Sequence, residues 1–165
     1  FHAEHKGRLP AEPARPLVPA DLDSLLQGGA KNPLLGVLRA VGDQLSKLYP
    51  APFESVGADR KADRLKAEHA VHRAVRSTAQ VFGVSELEVF QAKKGGVQTA
   101  LTDPLGVFVA NDVVQRYNAR EQRFLFGRAA LALAYKTAIT HRLGPAELAD
   151  LLVQPLLASA RVRPA

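Results

Sequence analysis

The amino-acid sequence predicts an α+β fold that is rich in helices, with a small three-stranded sheet, antiparallel or mixed, packed on two long helices. Three observations predict it. Apolar residues recur at helical spacing in residues 33–48 and again in 58–82. Residues 86–110 alternate β-favouring segments with turns that contain Gly and Pro. A third segment, 118–138, is apolar on almost every side and long enough for a core helix.

Composition limits the classes of function. The chain has 165 residues, of which 47% are apolar, so it can bury a core of one medium domain. It has no Cys, which excludes disulfides, thiol nucleophiles and Cys-based metal sites. The net charge of +6 permits binding to nucleic acid, anionic lipid or an acidic protein, although a bias toward GC-rich codons, which enriches Ala, Leu, Val, Pro and Arg, is the favoured explanation. Because no apolar run approaches the roughly 20 residues of a membrane span, we expect a soluble cytoplasmic protein.

The chain divides into three parts. Residues 1–20 are rich in Pro, Ala and charge and predict an extended arm or linker. Residues 21–155 form the single predicted α+β domain, and 156–165 a flexible tail. The first residue is Phe1 and the chain has no Met, so we expect a piece of a longer chain or a trimmed product.

Capping residues mark the helices before the sheet. A short helix is predicted at 21–29, and a longer one follows Asn32 as N-cap and Pro33 as first helical residue, ending before Pro50. Its apolar face comprises Leu34, Leu38, Val41, Leu45 and Leu48.

The segment 58–82 is predicted to be one long amphipathic helix that ends at Gly83. Opposite its apolar face runs a basic stripe of five side chains: Lys66, His69, His72, Arg73 and Arg76.

Three short strands are predicted at "ELEVFQA", "VQTAL" and "VFVA", connected by turns at "KKGG" and "TDPLG". They predict a meander, or a hairpin with an additional edge strand. Asn118 and Glu121 form a capping box at the start of the apolar helix, which is expected to run to about Thr140. A last helix begins at Gly144 and Pro145.

No catalytic residue, cofactor or metal site is predicted. His2 with His5 and His69 with His72 have a spacing that can bind one metal ion, but zinc needs three or four ligands. The serines lie in no GxSxG motif, and "KKGG" is a turn rather than a phosphate-binding loop. The basic stripe could contact phosphates, yet a solvated helix face is the simpler interpretation, since Asp63 and Glu68 dilute it and no aromatic residues are interleaved.

The order of "ELEVF", "VQTAL", "GVFVANDVVQRY" and "EQRFLFGRAALALA" resembles the core of the gluzincin metallopeptidases of the HExxH class, related to the CAAX prenyl proteases. The resemblance covers about residues 58–142. It implies that "VFVA" is an edge strand that pairs with an extended substrate, and that Glu121 opens the active-site helix.

The zinc motif of that family is absent. Its two His and its Glu fall on Arg128, Ala132 and Ala129, which can neither bind zinc nor activate water. The region of the third ligand offers Glu147 and Asp150, but not at the spacing of the family. The resemblance therefore implies a pseudo-peptidase, in which Arg128 extends to solvent or pairs with an acidic neighbour. The alternative is a core helix of an unrelated α+β domain.

We expect a non-catalytic interaction or scaffold domain within a larger cytoplasmic bacterial assembly, which binds a protein or other parts of the same polypeptide. Its predicted binding elements are the arm and the strand formed by Val107, Phe108, Val109 and Ala110, which would accept a partner strand by β-augmentation. Two alternatives stay open. The basic stripe, continued by Lys93, Lys94, Arg116 and Arg123, would bind nucleic acid, and His69, His72 and Glu147 would form an atypical hydrolase site.

Overall fold

The fold is given by a computed structural model that describes residues 17–18, 21, 33–144, 146–150 and 153. The predicted helix at 21–29, most of the predicted arm and the predicted tail fall outside these residues. The α+β class is confirmed. In chain order the elements are α1 (Pro33–Leu48), α2 (Phe53–Val56), α3 (Ala70–Val81), β1 (Leu87–Ala92), β2 (Val97–Ala100), β3 (Leu105–Ala110), α4 (Asn111–Arg116), α5 (Ala119–Ala134) and a 3-10 helix (Ala138–His141).

The sheet is mixed, with the strand order β1-β3-β2. β3 pairs in parallel with β1, from Leu87↔Leu105 to Ala92↔Ala110, and antiparallel with β2. The predicted meander is therefore wrong, whereas the alternative, a hairpin with an additional edge strand, is confirmed by the β2–β3 hairpin with β1 beside it. The edge position predicted for "VFVA" is wrong. Its four residues are all buried, as expected for a central strand whose side chains are covered on both faces.

The outer side of β1 is covered by residues 63–65, which run antiparallel to it. The amide of Leu65 donates to the carbonyl of Val89 (N to O, 2.8 Å), and the amide of Gln91 donates to the carbonyl of Asp63 (N to O, 2.8 Å). An isolated bridge joins Arg64 to Phe90 between these two bonds. We call residues 61–66 the flanking segment.

The long helix predicted from residue 58 is wrong in its first half, because helix α3 begins only at Ala70. Asp59 accounts for the difference: one carboxylate oxygen accepts hydrogen bonds from the amides of Lys61 and Ala62, at 2.8 Å each. Such a side-chain bond to nearby amides competes with a helix. The predicted end is confirmed, since Gly83 follows α3 with a left-handed φ of 75°.

The main core lies between the sheet and the helices α3 and α5. Phe90 and Phe108, paired across β1 and β3, stack with ring centroids 5.1 Å apart, and Phe53 of α2 meets both rings edge-on. α5 approaches α3 closely at Gly127, where an added Cβ would lie 3.9 Å from Thr78 and Phe82.

α5 starts as predicted and ends early. The side chain of Asn118 accepts from the amides of Arg120 and Glu121, while Glu121 accepts from the amide of Asn118, which completes the capping box. The helix ends at Ala134 instead of about Thr140. Lys136 has a left-handed φ of 57°, so the chain turns there before the short 3-10 helix.

A second, smaller core joins α1 to the 3-10 helix through Leu38, Leu45 and Ile139. Leu48, predicted for the same apolar face, is 69% exposed. Gly42 brings α1 close to the end of α5, because an added Cβ would lie only 2.6 Å from the carbonyl oxygen of Lys136.

Near the end of the predicted arm, Leu17 contacts the domain. The amide of Leu17 donates to the carbonyl of Val81, the last residue of α3 (N to O, 2.7 Å). The amide of Val18 donates a hydrogen bond to the carboxylate of Asp21. The chain therefore meets the domain at the C-terminal end of α3.

We predict that Gly42→Ala lowers the free energy of unfolding by about 1–3 kcal/mol, because the new methyl group would overlap the carbonyl of Lys136. Gly36→Ala is the control. It lies in the same helix with nothing within 4 Å of the added carbon, so we expect it to stabilise α1 by about 0.5–1 kcal/mol. Urea unfolding measures both, and a Gly42→Ala variant as stable as Gly36→Ala would contradict the close approach.

Candidate functional site

The candidate site is an open groove of about 770 Å³ beside the start of β1. One wall is the flanking segment with residues 67 and 68, a second is the first half of α3, and a third is residues 85–88. Leu65 and Leu87, both half-buried, supply apolar surface. Its charged and polar lining includes Lys61, Arg64, Lys66, Glu68, His72 and Arg76.

Local hydrogen bonds hold the flanking segment in place. The carboxylate of Asp59 organises the turn before it, and these amide donors lower the pKa of Asp59, the bond from Ala62 most strongly. The carboxylate of Asp63 in turn accepts a hydrogen bond from the amide of Asp59 (N to Oδ2, 2.7 Å). The pairing with β1 then fixes the position of Arg64 and its neighbours along the groove.

The charges in the groove are only partly paired. Arg64 forms an ion pair with Glu88 (Nη2 to Oε1, 2.8 Å), and the Glu88 side chain is 15% exposed. Within the described part of the chain, the side chains of Lys61, Lys66 and Arg76 form no ion pair. These three cations are therefore free to attract an anionic group.

His72 is the buried polar residue of the groove. It is only 8% exposed, and its Nδ1 atom is buried without a hydrogen-bond partner. Burial lowers the pKa of His72, and the charges of Arg76 and Arg64 lower it further, against a smaller opposing effect of Glu68. The ring is therefore neutral at pH 7. Because its folded pKa lies below the unfolded value of 6.5, His72 reduces stability as the pH falls below 6.5.

The first turn of α3 lies between the flanking segment and His72. His69 is the N-cap residue, and its Nδ1 accepts from the amide of Val71 (N to Nδ1, 3.3 Å). The amide of Arg73 makes the first bond of the helix, to the carbonyl of His69. Over the described ranges, the amides of Ala70 and His72 donate no hydrogen bond. Unpaired amides and the helix dipole make this turn electropositive.

The basic stripe predicted from the sequence is thus divided. Lys66, His72 and Arg76 line the groove, whereas His69 caps the helix and Arg73 is exposed outside the groove. The stripe is not one helix face, because Lys66 precedes α3. His69 and His72 therefore have different surroundings, although they are three residues apart.

The predicted strand-pairing surface, Val107–Ala110, is not accessible. Both sides of β3 are paired, with β1 and with β2, and the four residues are at most 1% exposed. The prediction of β-augmentation at these residues is corrected, since a central strand has no free edge for a partner strand.

The positions that the gluzincin resemblance assigns to the zinc motif lie on α5. Arg128 is exposed, as expected for a charged side chain on this helix, while Ala129 and Ala132 are buried in the core. The carboxylate of Glu147 accepts from the amide of Gly144 (N to Oε2, 2.7 Å), and Asp150 is exposed. Among the described residues, no group of three or more His, Cys, Asp or Glu could hold a metal ion.

Comparison with known proteins finds no protein family, curated protein or solved structure that matches this chain. The gluzincin resemblance therefore stays a prediction. Of the helices in the described ranges, none has the length and apolar character needed to cross a membrane.

Sequence reasoning missed the groove, because its walls come from three separate segments. Arg64 and Glu88 were not recognised as partners, since 24 positions separate them. The turn at the start of the flanking segment did have a signal in the sequence. Asp59 and the mostly polar residues that follow it, up to Asp63, favour an Asx-type turn over a helix.

We predict that Arg76→Gln raises the pKa of His72, because the positive charge of Arg76 contributes to lowering it. Arg73→Gln is the matched control. It removes an exposed guanidinium from the same helix that is not among the causes of the shift, so the pKa of His72 should stay unchanged. NMR titration of the imidazole protons measures both, and equal effects of the two variants would contradict the assigned cause.

Proposed function

We propose that this protein is a non-catalytic interaction domain whose groove holds an acidic segment of a partner protein. The observation that carries the proposal is the set of cations Lys61, Lys66 and Arg76, which line the groove without an ion pair in the described part of the chain. A partner segment with Asp, Glu or another acidic group complements them.

The size of the groove supports a short segment. Its volume of about 770 Å³ is large enough for a few side chains of a partner segment, and the groove is open to solvent. Leu65 and Leu87 offer apolar contact next to the charges. Apolar contact next to charged side chains is typical of protein interfaces.

Nucleic acid fits the groove less well. Among the described residues that line it there is no Phe, Tyr or Trp, so the largely buried imidazole of His72 is the aromatic ring that a base could meet there. Glu68, Glu86 and Glu88 also line it and would repel a continuous phosphate backbone. A protein segment, with acidic groups at separate positions, can avoid these carboxylates.

The non-catalytic part of the proposal is supported by the residues at the positions of the zinc motif. Arg128, Ala129 and Ala132 offer neither imidazole nor carboxylate, so this part of α5 has no group to bind zinc or to activate water. The proposal also places the domain in a larger cytoplasmic bacterial assembly, where such a groove would recruit another component.

We predict that the double variant Lys66→Glu with Arg76→Glu weakens binding of a short glutamate-rich peptide by about tenfold or more, since each reversal replaces attraction by repulsion of about 1 kcal/mol. The double variant Arg73→Glu with Arg123→Glu is the control, because it changes the net charge by the same amount at two exposed arginines that do not line the groove. Fluorescence anisotropy with a labelled peptide measures the affinities.

The same assay discriminates between the alternatives. Equal loss of affinity in the two double variants would mean that the net charge binds the peptide, and the groove would be excluded as the site. A single-stranded oligonucleotide that binds the wild-type groove more tightly than the peptide would favour the nucleic-acid alternative.

A further inference from the structure

We infer that a second surface of this protein, outside the groove, binds single-stranded RNA. The surface lies where α4 meets α5 and combines exposed aromatic rings with exposed guanidinium groups. We call it the arginine-aromatic face, and it comprises Arg116, Tyr117, Arg120, Phe124 and Arg128. None of these residues lines the groove, so the inference goes beyond the proposed function and does not depend on it.

The two aromatic side chains of this face are open to solvent. Phe124 is 66% exposed and Tyr117 is 42% exposed, whereas every other Phe and Tyr in the described ranges is buried or half-buried. Each nucleobase has a π-face, so an exposed ring can accept an unpaired base of any sequence. The bases of a single strand are available for such stacking, while those of a duplex are not.

Arginines flank the ring of Phe124 at a spacing that the helix sets. Arg120 lies four residues before Phe124 and Arg128 four residues after it, so the three side chains share one side of α5. At a rise of about 1.5 Å per residue, the two arginines are roughly 12 Å apart along the helix axis. A single strand can therefore place phosphates at both guanidinium groups while a base stacks on the ring between them.

The end of α4 brings two further members to the same place. Only Tyr117 and Asn118 separate α4 from α5, and Arg116 is the last residue of α4. The side-chain Nε2 of Gln122 donates to the carbonyl oxygen of Tyr117 (N to O, 2.7 Å). This bond joins the end of α4 to the first turn of α5, where Arg120 lies.

The arginines of the face are not neutralised by nearby carboxylates. α4 and α5 together contain four arginines, three of them in the face, but only two acidic residues, Asp112 and Glu121. Glu121 accepts from the amide of Asn118 in the capping box, and Oδ1 of Asp112 is buried. No arginine of these two helices forms an ion pair with another described residue. A phosphate backbone would therefore meet an excess of positive charge here.

The chemistry of the face favours RNA over other partners. The hydroxyl of Tyr117 makes no hydrogen bond to the described part of the chain, and the 2′-hydroxyl found in RNA but not in DNA can both donate and accept one. A membrane surface requires a broad apolar helix face, whereas Phe124 lies between charged side chains. The core of a protein interface is likewise poor in charge.

The experiment measures binding of a labelled oligouridylate of about ten nucleotides to the full chain by fluorescence anisotropy. Phe124→Leu keeps an apolar side chain but removes the ring, so we expect it to weaken binding about fivefold or more. Phe124→Tyr keeps the ring and should bind like the wild type. Leu48→Ala is the control, because it removes another exposed apolar side chain and should leave the affinity unchanged.

The salt dependence of the same binding tests the arginines. Arg120→Gln with Arg128→Gln should reduce the slope of log affinity against log salt by about 1.4, as expected for the loss of two phosphate contacts to a single strand. Arg60→Gln with Arg73→Gln removes the same charge at two exposed arginines outside the face, so the slope should not change. The substituted side chains are all exposed, and thermal unfolding checks that the variants fold.

Four outcomes would overturn the inference. Wild-type affinity in Phe124→Leu would show that no base stacks on the ring. Equal affinity for the oligodeoxyuridylate of the same length would remove the assignment to RNA. Loss of RNA binding in Lys66→Glu with Arg76→Glu, but not in Arg120→Gln with Arg128→Gln, would place the strand in the groove. Absence of RNA binding, with phosphatidylserine vesicles or the glutamate-rich peptide bound through Arg120 and Arg128 instead, would assign the face to a membrane or to an acidic protein.

Discussion

The burial of β3 between β1 and β2 is the constraint on which the structure depends. Hydrogen bonds satisfy this strand on both sides, and its apolar residues are covered on both faces. Phe108 stacks on Phe90, and Phe53 closes the cluster from α2. Because β3 holds β1 and β2 in place, it also sets the positions of the elements that contact them: the flanking segment and α3 beside β1, and α5 against β2.

The groove is a consequence of this arrangement. β1 lies beside β3, and its other side is covered by the flanking segment, which brings Lys61, Arg64 and Lys66 next to the first half of α3. α3 in turn packs on the core through Val71, Val75 and Ala79 and carries His72 and Arg76 toward the groove. Charges that are distant in the sequence therefore surround one space, where the burial of His72 and the charges of Arg76 and Arg64 lower the pKa of His72.

Local signals in the sequence predicted local structure well. Pro33, Gly83 and the capping box of Asn118 mark helix boundaries correctly, because each acts through its own backbone or through residues three positions away. The three strands were also located from β-favouring residues between turns. The helical class of segment 118–134 followed from its length and apolar character.

Long-range features could not be predicted in the same way. The order of the strands depends on the pairing between β1 and β3, whose paired residues are 18 positions apart in the sequence. The residues of a strand do not by themselves indicate which other strand it pairs with. The first half of segment 58–82 has helical periodicity, but the bonds of Asp59 and the pairing with β1 outweigh it. The groove was missed for the same reason, although His72, Arg76 and Lys66 had been selected as a basic stripe.

The hydrogen bond from Leu17 to Val81 has a consequence for how the domain is attached. It holds the incoming chain at the C-terminal end of α3, whereas the unpaired amides lie at the N-terminal end of that helix. With a rise of about 1.5 Å per residue, the two ends are roughly 18 Å apart. The contact made by Leu17 and the unpaired amides of the first turn therefore lie at opposite ends of α3, separated by the full length of the helix.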